Sequence, residues 1–89
     1  MRQFIGELNV DDIHVCLHTA FRRPNRRTKL WRLLRDSIKA EGLVNPITVK
    51  VEAVRRGKIV FRLVDGLQRL DVHKFLKRKM ILVALRFWD

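Results

Sequence analysis

The sequence has 89 residues and a mass of 10.6 kDa, a length that typically folds as one domain, and we expect a single domain over residues 1–89. It is 47% hydrophobic and 33% charged, which excludes a disordered chain. Its net charge of +11 comes from 20 Lys and Arg against nine Asp and Glu. Self-repulsion of that size favours a polyanionic partner, with nucleic acid ahead of an acidic protein or a membrane surface.

Composition also bears on location. The longest apolar run, from Met80 to Leu85, is far shorter than the roughly 20 residues that cross a bilayer, and no secretory leader pattern opens the chain. A single cysteine, Cys16, cannot form an intramolecular disulfide, which fits a reducing compartment. We therefore expect a cytoplasmic protein with no membrane partner. The low Asn and Gln content favours a thermophilic source.

The first predicted elements are strands. Phe4–Val10 is extended in pattern, and Asp11–Asp12 is typical of a turn because Asp side chains bond to their own backbone. Ile13, Val15 and Leu17 alternate with polar residues, which predicts a second, half-buried strand.

A helix follows over Thr28–Glu41, with Gly42 as its C-terminal stop. Its apolar stripe is expected to face the core and consists of Leu30, Leu33, Leu34, Ser37 and Ile38. Two alternating strands around a basic turn at residues 55–58 then predict a β-hairpin; their apolar positions are Ile47, Val49, Val51, Ile59, Phe61 and Leu63.

The last elements are a helix and a strand. Gly66 interrupts the pattern, Leu67–Arg78 is predicted as a helix with Val72 and Leu76 inward, and Met80–Trp88 as a strand buried on both faces. The fold class is therefore α+β, with two main helices packed on a small mixed β-sheet.

The segment Asp65-Gly66-Leu67-Gln68-Arg69 could bind phosphate. A strand ends there, a glycine follows, and a helix begins with an arginine in its first turn. The first amides of a helix lack intrahelical partners, a glycine lets an anion approach, and Arg69 could close over it. A plain glycine turn beside a surface arginine is the alternative.

Three stretches together resemble the ParB/sulfiredoxin-like superfamily, which includes the ParB-like nuclease domain. They are "LRDSIKAEGLVNPITV" (34–49), "VDGLQRLDVHKFL" (64–76) and "ELNVDDIHV" (7–15), in the family's order. The resemblance implies that fold and a nucleotide cleft at the glycine–arginine box, which binds CTP in ParB and ATP in sulfiredoxin. If a cofactor binds, it implies a nucleoside triphosphate with Mg²⁺. The site residues carried over are Asn45, Pro46, Asp65, Gly66, Gln68 and Arg69.

The chain departs from the family between the glycine and the arginine. Leu67 and Gln68 stand where ParB has glutamate and arginine, so ParB-type hydrolysis is in doubt. Sulfiredoxin has cysteine and histidine there, and its reductase chemistry is absent. Asn45-Pro46 lines the family's cleft, but it is equally a turn before a strand.

Basic residues cluster in three places: before and within the first helix, at the hairpin turn, and after the second helix. Three clusters exceed what solubility requires and predict phosphate contacts. The candidate nucleic-acid-binding residues are Arg22, Arg23, Arg26, Arg27, Arg32, Arg55, Arg56, Lys58, Lys77, Arg78 and Lys79. Trp31 and Trp88 could stack on bases, though aromatic residues at such positions are more often core.

The sequence gives weaker support for a metal site or for acid–base catalysis. His14, Cys16 and His18 share a strand face and could hold zinc, but a fourth ligand is missing and we predict no metal site. Asp65 and Asp71 are the only carboxylate pair near the cleft for metal-dependent cleavage. His73 is more often a packing residue than a base.

The sequence thus predicts a nucleic-acid-binding domain, with DNA as the expected partner and a phosphate cleft at Gly66–Arg69. A metal-dependent nuclease or nucleotide hydrolase using that cleft is the alternative. A protein-interaction module is a third interpretation. Oligomeric state is open, with a dimer as one option.

Overall fold

A computed structural model describes residues 2–15, 24–42 and 45–87. Its elements are strand β1 (Arg2–Asn9), a 3-10 turn (Val10–Asp12), β2 (Ile13–His14), helix α1 (Lys29–Glu41), β3 (Ile47–Arg55), β4 (Lys58–Asp65), helix α2 (Leu67–Phe75) and β5 (Met80–Phe87). The α+β class with two helices and one mixed sheet is confirmed. Neither described helix has the length and apolar character needed to cross a bilayer.

The five strands form one sheet in the order β1-β5-β3-β4-β2. The pairs β1/β5 and β3/β4 are antiparallel, whereas β5/β3 and β4/β2 are parallel. The main core lies between one sheet face and α2, where Ile47, Val49 and Leu63 meet Leu70. On the other face of β5, Ala84 is buried, but Met80 is 47% exposed and Arg86 is exposed. The expectation that β5 is buried on both faces is therefore wrong towards both ends of the strand.

Helix α1 has the predicted bounds but buries a different face. The Thr28 hydroxyl accepts from the Trp31 amide and caps the N-terminus, the role for which threonine is favoured. Trp31 and Ile38 are buried against Val72 of α2, whereas Leu30 and Leu33 are 75% and 55% exposed. The predicted buried stripe of α1 was therefore wrong by about one helical position. The large ring of Trp31, rather than Leu30, packs into the core.

Two predicted boundaries also differ. Helix α2 ends at Phe75 rather than at residue 78, since Lys77 adopts a positive φ of 57° that no α-helix continues. Strand β2 covers only Ile13–His14, and Leu17 lies outside the described residues. The inward positions predicted for α2 are confirmed, because Val72 is buried and Leu76 packs against the Trp31 cluster.

Candidate functional site

Gly66 joins the end of β4 to the start of α2. Its φ of 105° is in the left-handed region, and a Cβ built on it would lie 2.6 Å from Cγ2 of Ile47. Ile47 is fully buried, so a side chain at position 66 could not be accommodated by a simple shift. Packing against Ile47 is by itself a sufficient reason for this glycine, and room for a phosphate stays a prediction. The glycine is required because α2 begins in direct contact with β3.

Arg69 ties this helix start to the turn before β3. Its Nη1 donates to the carbonyl oxygens of Pro46 (2.9 Å) and Asn45 (3.3 Å), and its Nη2 lies 3.9 Å from the Asp65 carboxylate. The structure thus brings Asn45 and Pro46 together with Arg69, 24 and 23 residues further along the chain, and with Asp65. The two carbonyls are neutral, and Asp65 is the negative group beside Arg69.

The N-terminus of α2 differs from that of α1. No side chain caps α2, since Gly66 is its N-cap residue, whereas Thr28 caps α1. The first amides of α2 precede the first intrahelical bond, which runs from the Leu70 amide to the Gly66 carbonyl. Gln68 is exposed on this turn. We name this junction the cleft: Asn45, Pro46, Asp65, Gly66, Gln68 and Arg69. Its amides and its arginine are the groups that an anion would contact.

The second carboxylate near the cleft, Asp71, is committed elsewhere. It accepts from Nε and Nη2 of Arg26, each at 2.9 Å, and from Nε1 of Trp31 at 3.1 Å. Its side chain is only 18% exposed, whereas that of Asp65 is 78% exposed. Asp71 is therefore a structural anchor, and the carboxylate pair considered for metal-dependent cleavage is not available in this arrangement.

The same contacts place Arg26, one of the candidate nucleic-acid-binding residues. Its guanidinium lies over the rings of Phe75 (5.3 Å) and Trp31 (5.8 Å), and the hydrogen bonds to Asp71 raise the pKa of Arg26. Arg26 thereby connects the segment before α1 to α2. No local sequence pattern could have paired it with Asp71, 45 residues away.

His73 packs inside the domain, as the packing interpretation predicted. It is buried, and its Nδ1 donates to the Arg69 carbonyl at 2.8 Å. Burial lowers the pKa of His73, and nearby Arg78 lowers it further. The ring is therefore neutral near pH 7 and supports the turn of α2 that carries Arg69.

The β3–β4 hairpin ends in a basic tip. Arg55 pairs with Lys58 across a two-residue turn of Arg56 and Gly57, and φ is positive at both turn residues, 51° and 78°. That pattern is a type I′ turn, where Asn, Asp or Gly is normally favoured at the first position. An arginine there carries a conformational cost of about 1 kcal/mol.

The outer part of this hairpin is a two-stranded ribbon. β5 pairs with β3 only at Ile47–Lys50, and β2 pairs with β4 only at Phe61 and Arg62. Beyond those positions, within the described residues, β3 and β4 pair only with each other. Val54 and Ile59 are exposed on the ribbon. The hairpin tip therefore extends past the body of the sheet.

The remaining candidate cations are dispersed. Arg27, Arg32, Lys77 and Lys79 are exposed. Arg78 donates from Nη2 to the Ile38 carbonyl at 3.3 Å, linking the end of α2 to α1. Arg22, Arg23 and Trp88 lie outside the described residues.

The zinc alternative gains no further ligand. Within residues 2–15, 24–42 and 45–87, no three His, Cys, Asp or Glu side chains gather closely enough to hold a metal ion. His14 is exposed, and Cys16 and His18 lie outside the described residues.

Comparison with known proteins identifies the fold. Neither a protein-family model nor a curated protein sequence matches the chain. Among solved structures, sulfiredoxin from Arabidopsis thaliana superimposes with a TM-score of 0.76 at 27% identity, over 96% of this chain and 86% of that one. A pNOB8-like ParB N-domain gives a TM-score of 0.75 at 16% identity, over 99% and 31%.

A chromosome-partitioning ParB from Caulobacter crescentus, complexed with CTP-γ-S, gives a TM-score of 0.68 at 20% identity, over 97% of this chain and 46% of that one. The chain therefore has the ParB/sulfiredoxin-like fold. It spans less than half of the ParB chains that it resembles.

Proposed function

We propose that this domain binds nucleic acid, with DNA as the expected partner, chiefly through contacts to phosphates. The observation that carries the proposal is the hairpin tip. Arg55, Arg56 and Lys58 stand together at the end of a two-stranded ribbon, and Arg56 occupies a left-handed position where Asn or Gly would be more stable. A strained cation at an exposed tip is expected where the cation has a binding role.

The shape of the tip fits a groove. A two-stranded ribbon is narrow enough to enter the major groove of DNA, which is about 12 Å wide. The net charge of +11 adds attraction over a longer range. A second ParB structure from Caulobacter crescentus that matches this fold, at 21% identity, is complexed to the centromeric parS site.

The test is a salt titration of DNA binding. Fluorescence anisotropy with a labelled duplex is expected to show affinity that falls steeply between about 50 and 200 mM salt and varies little with base sequence. Replacing Arg55, Arg56 and Lys58 by Gln, Asn and Gln should weaken binding and reduce the salt slope by about 2–3. Binding that does not respond to salt would overturn the proposal.

We further propose that the cleft binds a phosphate group, as that of a nucleoside triphosphate with Mg²⁺. The uncapped start of α2 and the adjacent charge of Arg69 support this, and the ParB relative complexed with CTP-γ-S supports a nucleotide as the ligand. The nuclease and hydrolase alternatives have less support, because Asp71 is held by Arg26.

Arg69→Ala is a poor test of the cleft, since Arg69 also holds the Pro46 turn. Gln68→Glu is sharper, because Gln68 is exposed and a carboxylate in the first turn stabilises a helix while repelling an anion. Ser37→Glu, on the exposed face of α1, adds the same charge away from the cleft.

Calorimetry with nucleoside triphosphates, with and without Mg²⁺, should show weaker binding by Gln68→Glu and unchanged binding by Ser37→Glu. Equal binding by wild type and both variants would remove the cleft from the proposal.

A further inference from the structure

Three positively charged residues and a histidine are aligned across the sheet on the face opposite α2. Arg86 on β5 is in register with Lys50 on β3, and Lys50 is in register with Arg62 on β4. Arg62 is in register with His14 on β2. Residues in register share one face of a sheet, so these four side chains lie next to one another on four neighbouring strands. We name them the cation row.

The face is fixed by alternation along each strand. Val49 and Leu63, which immediately neighbour Lys50 and Arg62 in sequence, point into the core with α2. Successive side chains of a strand point to opposite faces, so the cation row lies on the outer face. Arg86 and His14 are exposed there, and Lys50 and Arg62 are partly exposed.

Positive charge is concentrated along the row. Like charges in register across neighbouring strands destabilise a sheet, by a few tenths of a kcal/mol to about 1 kcal/mol for each pair. The row contains two such pairs, Arg86 with Lys50 and Lys50 with Arg62. Glu52 forms an ion pair with Arg62, at 3.9 Å, and offsets part of the charge of that residue.

The row is linear and regular. Neighbouring strands are about 4.8 Å apart, so four strands span about 14 Å. A nucleic-acid strand carries one negative charge at every nucleotide, so a stretch of a few nucleotides spans the row. A linear row of evenly spaced cations suits such a repeating anion better than the irregular acidic surface of a folded protein.

We propose that the cation row binds the phosphate backbone of a nucleic-acid strand lying across β5, β3, β4 and β2. The proposal rests on the proposed function, that the domain binds nucleic acid. It goes beyond it because neither the hairpin tip nor the cleft includes any of these four residues, and because it assigns the ligand to the outer face of the sheet.

Lys50→Glu is the central test, because it converts both like-charged pairs into opposite-charged ones. Urea denaturation checks that the variant is folded. Its affinity for labelled single-stranded DNA of about 20 nucleotides should fall by about tenfold or more, and its salt slope by about 2, if three contacts of about 0.7 each are lost. Arg86→Gln, at an exposed position, should lower the slope by about 0.7.

The matched control is Lys39→Glu, which makes the same charge change on the exposed surface of α1. It should leave affinity within about twofold of wild type and the slope unchanged. A second readout is chemical acetylation of lysines followed by mass spectrometry. DNA should protect Lys50 from acetylation and leave Lys39 reactive.

The outcomes separate this proposal from the proposed function. If Lys50→Glu and Lys39→Glu weaken binding equally, or if DNA leaves Lys50 reactive, the cation row is overturned while a loss in the hairpin variant still supports the function. If wild type binds no DNA at any salt concentration, both are overturned. If polyglutamate of equal charge protects Lys50 as well as DNA does, the assignment to nucleic acid is overturned in favour of an acidic protein.

Discussion

Gly66→Ala offers a direct measure of how tightly α2 is set against β3. The new Cβ would lie 2.6 Å from Cγ2 and 2.9 Å from Cβ of Ile47, a buried side chain with no space to move into. Overpacking of this kind costs about 1–3 kcal/mol, and the positive φ of 105° adds about 1–2 kcal/mol. The free energy of unfolding should therefore fall by about 2–5 kcal/mol.

That loss is a large part of the total, which for a domain of this length is about 4–13 kcal/mol. Urea denaturation followed by circular dichroism measures it. Gly57→Ala is the control, because Gly57 has a positive φ of 78° but no atom within 4 Å of its built Cβ. It should cost only the backbone strain, about 1–2 kcal/mol.

The difference between the two variants isolates the contact with Ile47. In an Ile47→Leu background, which removes the branch at Cβ, the cost of Gly66→Ala should shrink. If Gly66→Ala costs no more than Gly57→Ala, the packing explanation is wrong. A stable Gly66→Ala protein that had lost only anion binding would favour the phosphate explanation for this glycine.

Three further predictions follow from single contacts. Arg26→Ala should lower the free energy of unfolding by about 1–2 kcal/mol through loss of the two bonds to Asp71, and Arg26→Lys should not restore it in urea denaturation, because lysine cannot make both bonds. Because the pKa of His73 is lowered in the folded state, stability should be full above about pH 6.5 and be lost as pH falls from there towards the lowered pKa; His73→Gln should flatten the urea midpoint between about pH 7.5 and 5.5. Arg56→Asn should raise stability by about 0.5–1 kcal/mol while weakening DNA binding in anisotropy.

The sequence predicted the helices and strands well where a pattern is local. The hairpin is an example, since alternation in both strands and the basic turn lie within 20 residues. The buried face of α1 was missed because its decisive contact is distant. Trp31 can be buried there because its indole N–H donates to Asp71, 40 residues along the chain, and a buried indole needs such a partner.

The sequence predicted which residues belong to the proposed cleft but not the contacts that they make. The sequence placed Asn45-Pro46 and Gly66–Arg69 in one cleft, and the structure joins them through Arg69. No sequence pattern predicts which contact each of these residues makes. Gly66 is required by its contact with Ile47, and two donor contacts of Arg69 go to carbonyls. Both depend on how closely α2 meets β3, and a role of Gly66 in binding an anion stays a prediction.

The contacts of the positively charged residues could not be predicted from the sequence either. Arg26 and Arg78 come from basic segments of the sequence and are exposed, yet each makes a contact within the fold, with Asp71 and with the Ile38 carbonyl. Lys50, Arg62 and Arg86 stand on three separate strands, and only the register of the sheet aligns them. The proposed cation row therefore follows from cross-strand register and could not be read from the basic runs of the sequence.

Of the three proposed sites, the cleft and the cation row lie on opposite faces of the sheet and share no residue. The cleft is formed where α2 begins, and α2 packs on the inner face through Leu67 and Leu70, whereas Lys50 points outward. A nucleotide in the cleft should therefore not displace a strand from the cation row. Titration of nucleoside triphosphate with Mg²⁺ into labelled DNA complexes is expected to leave anisotropy unchanged once ionic strength is held constant, because screening alone weakens phosphate contacts. Displacement at constant ionic strength would mean that both ligands compete for one site, and the separation of the two faces would be wrong.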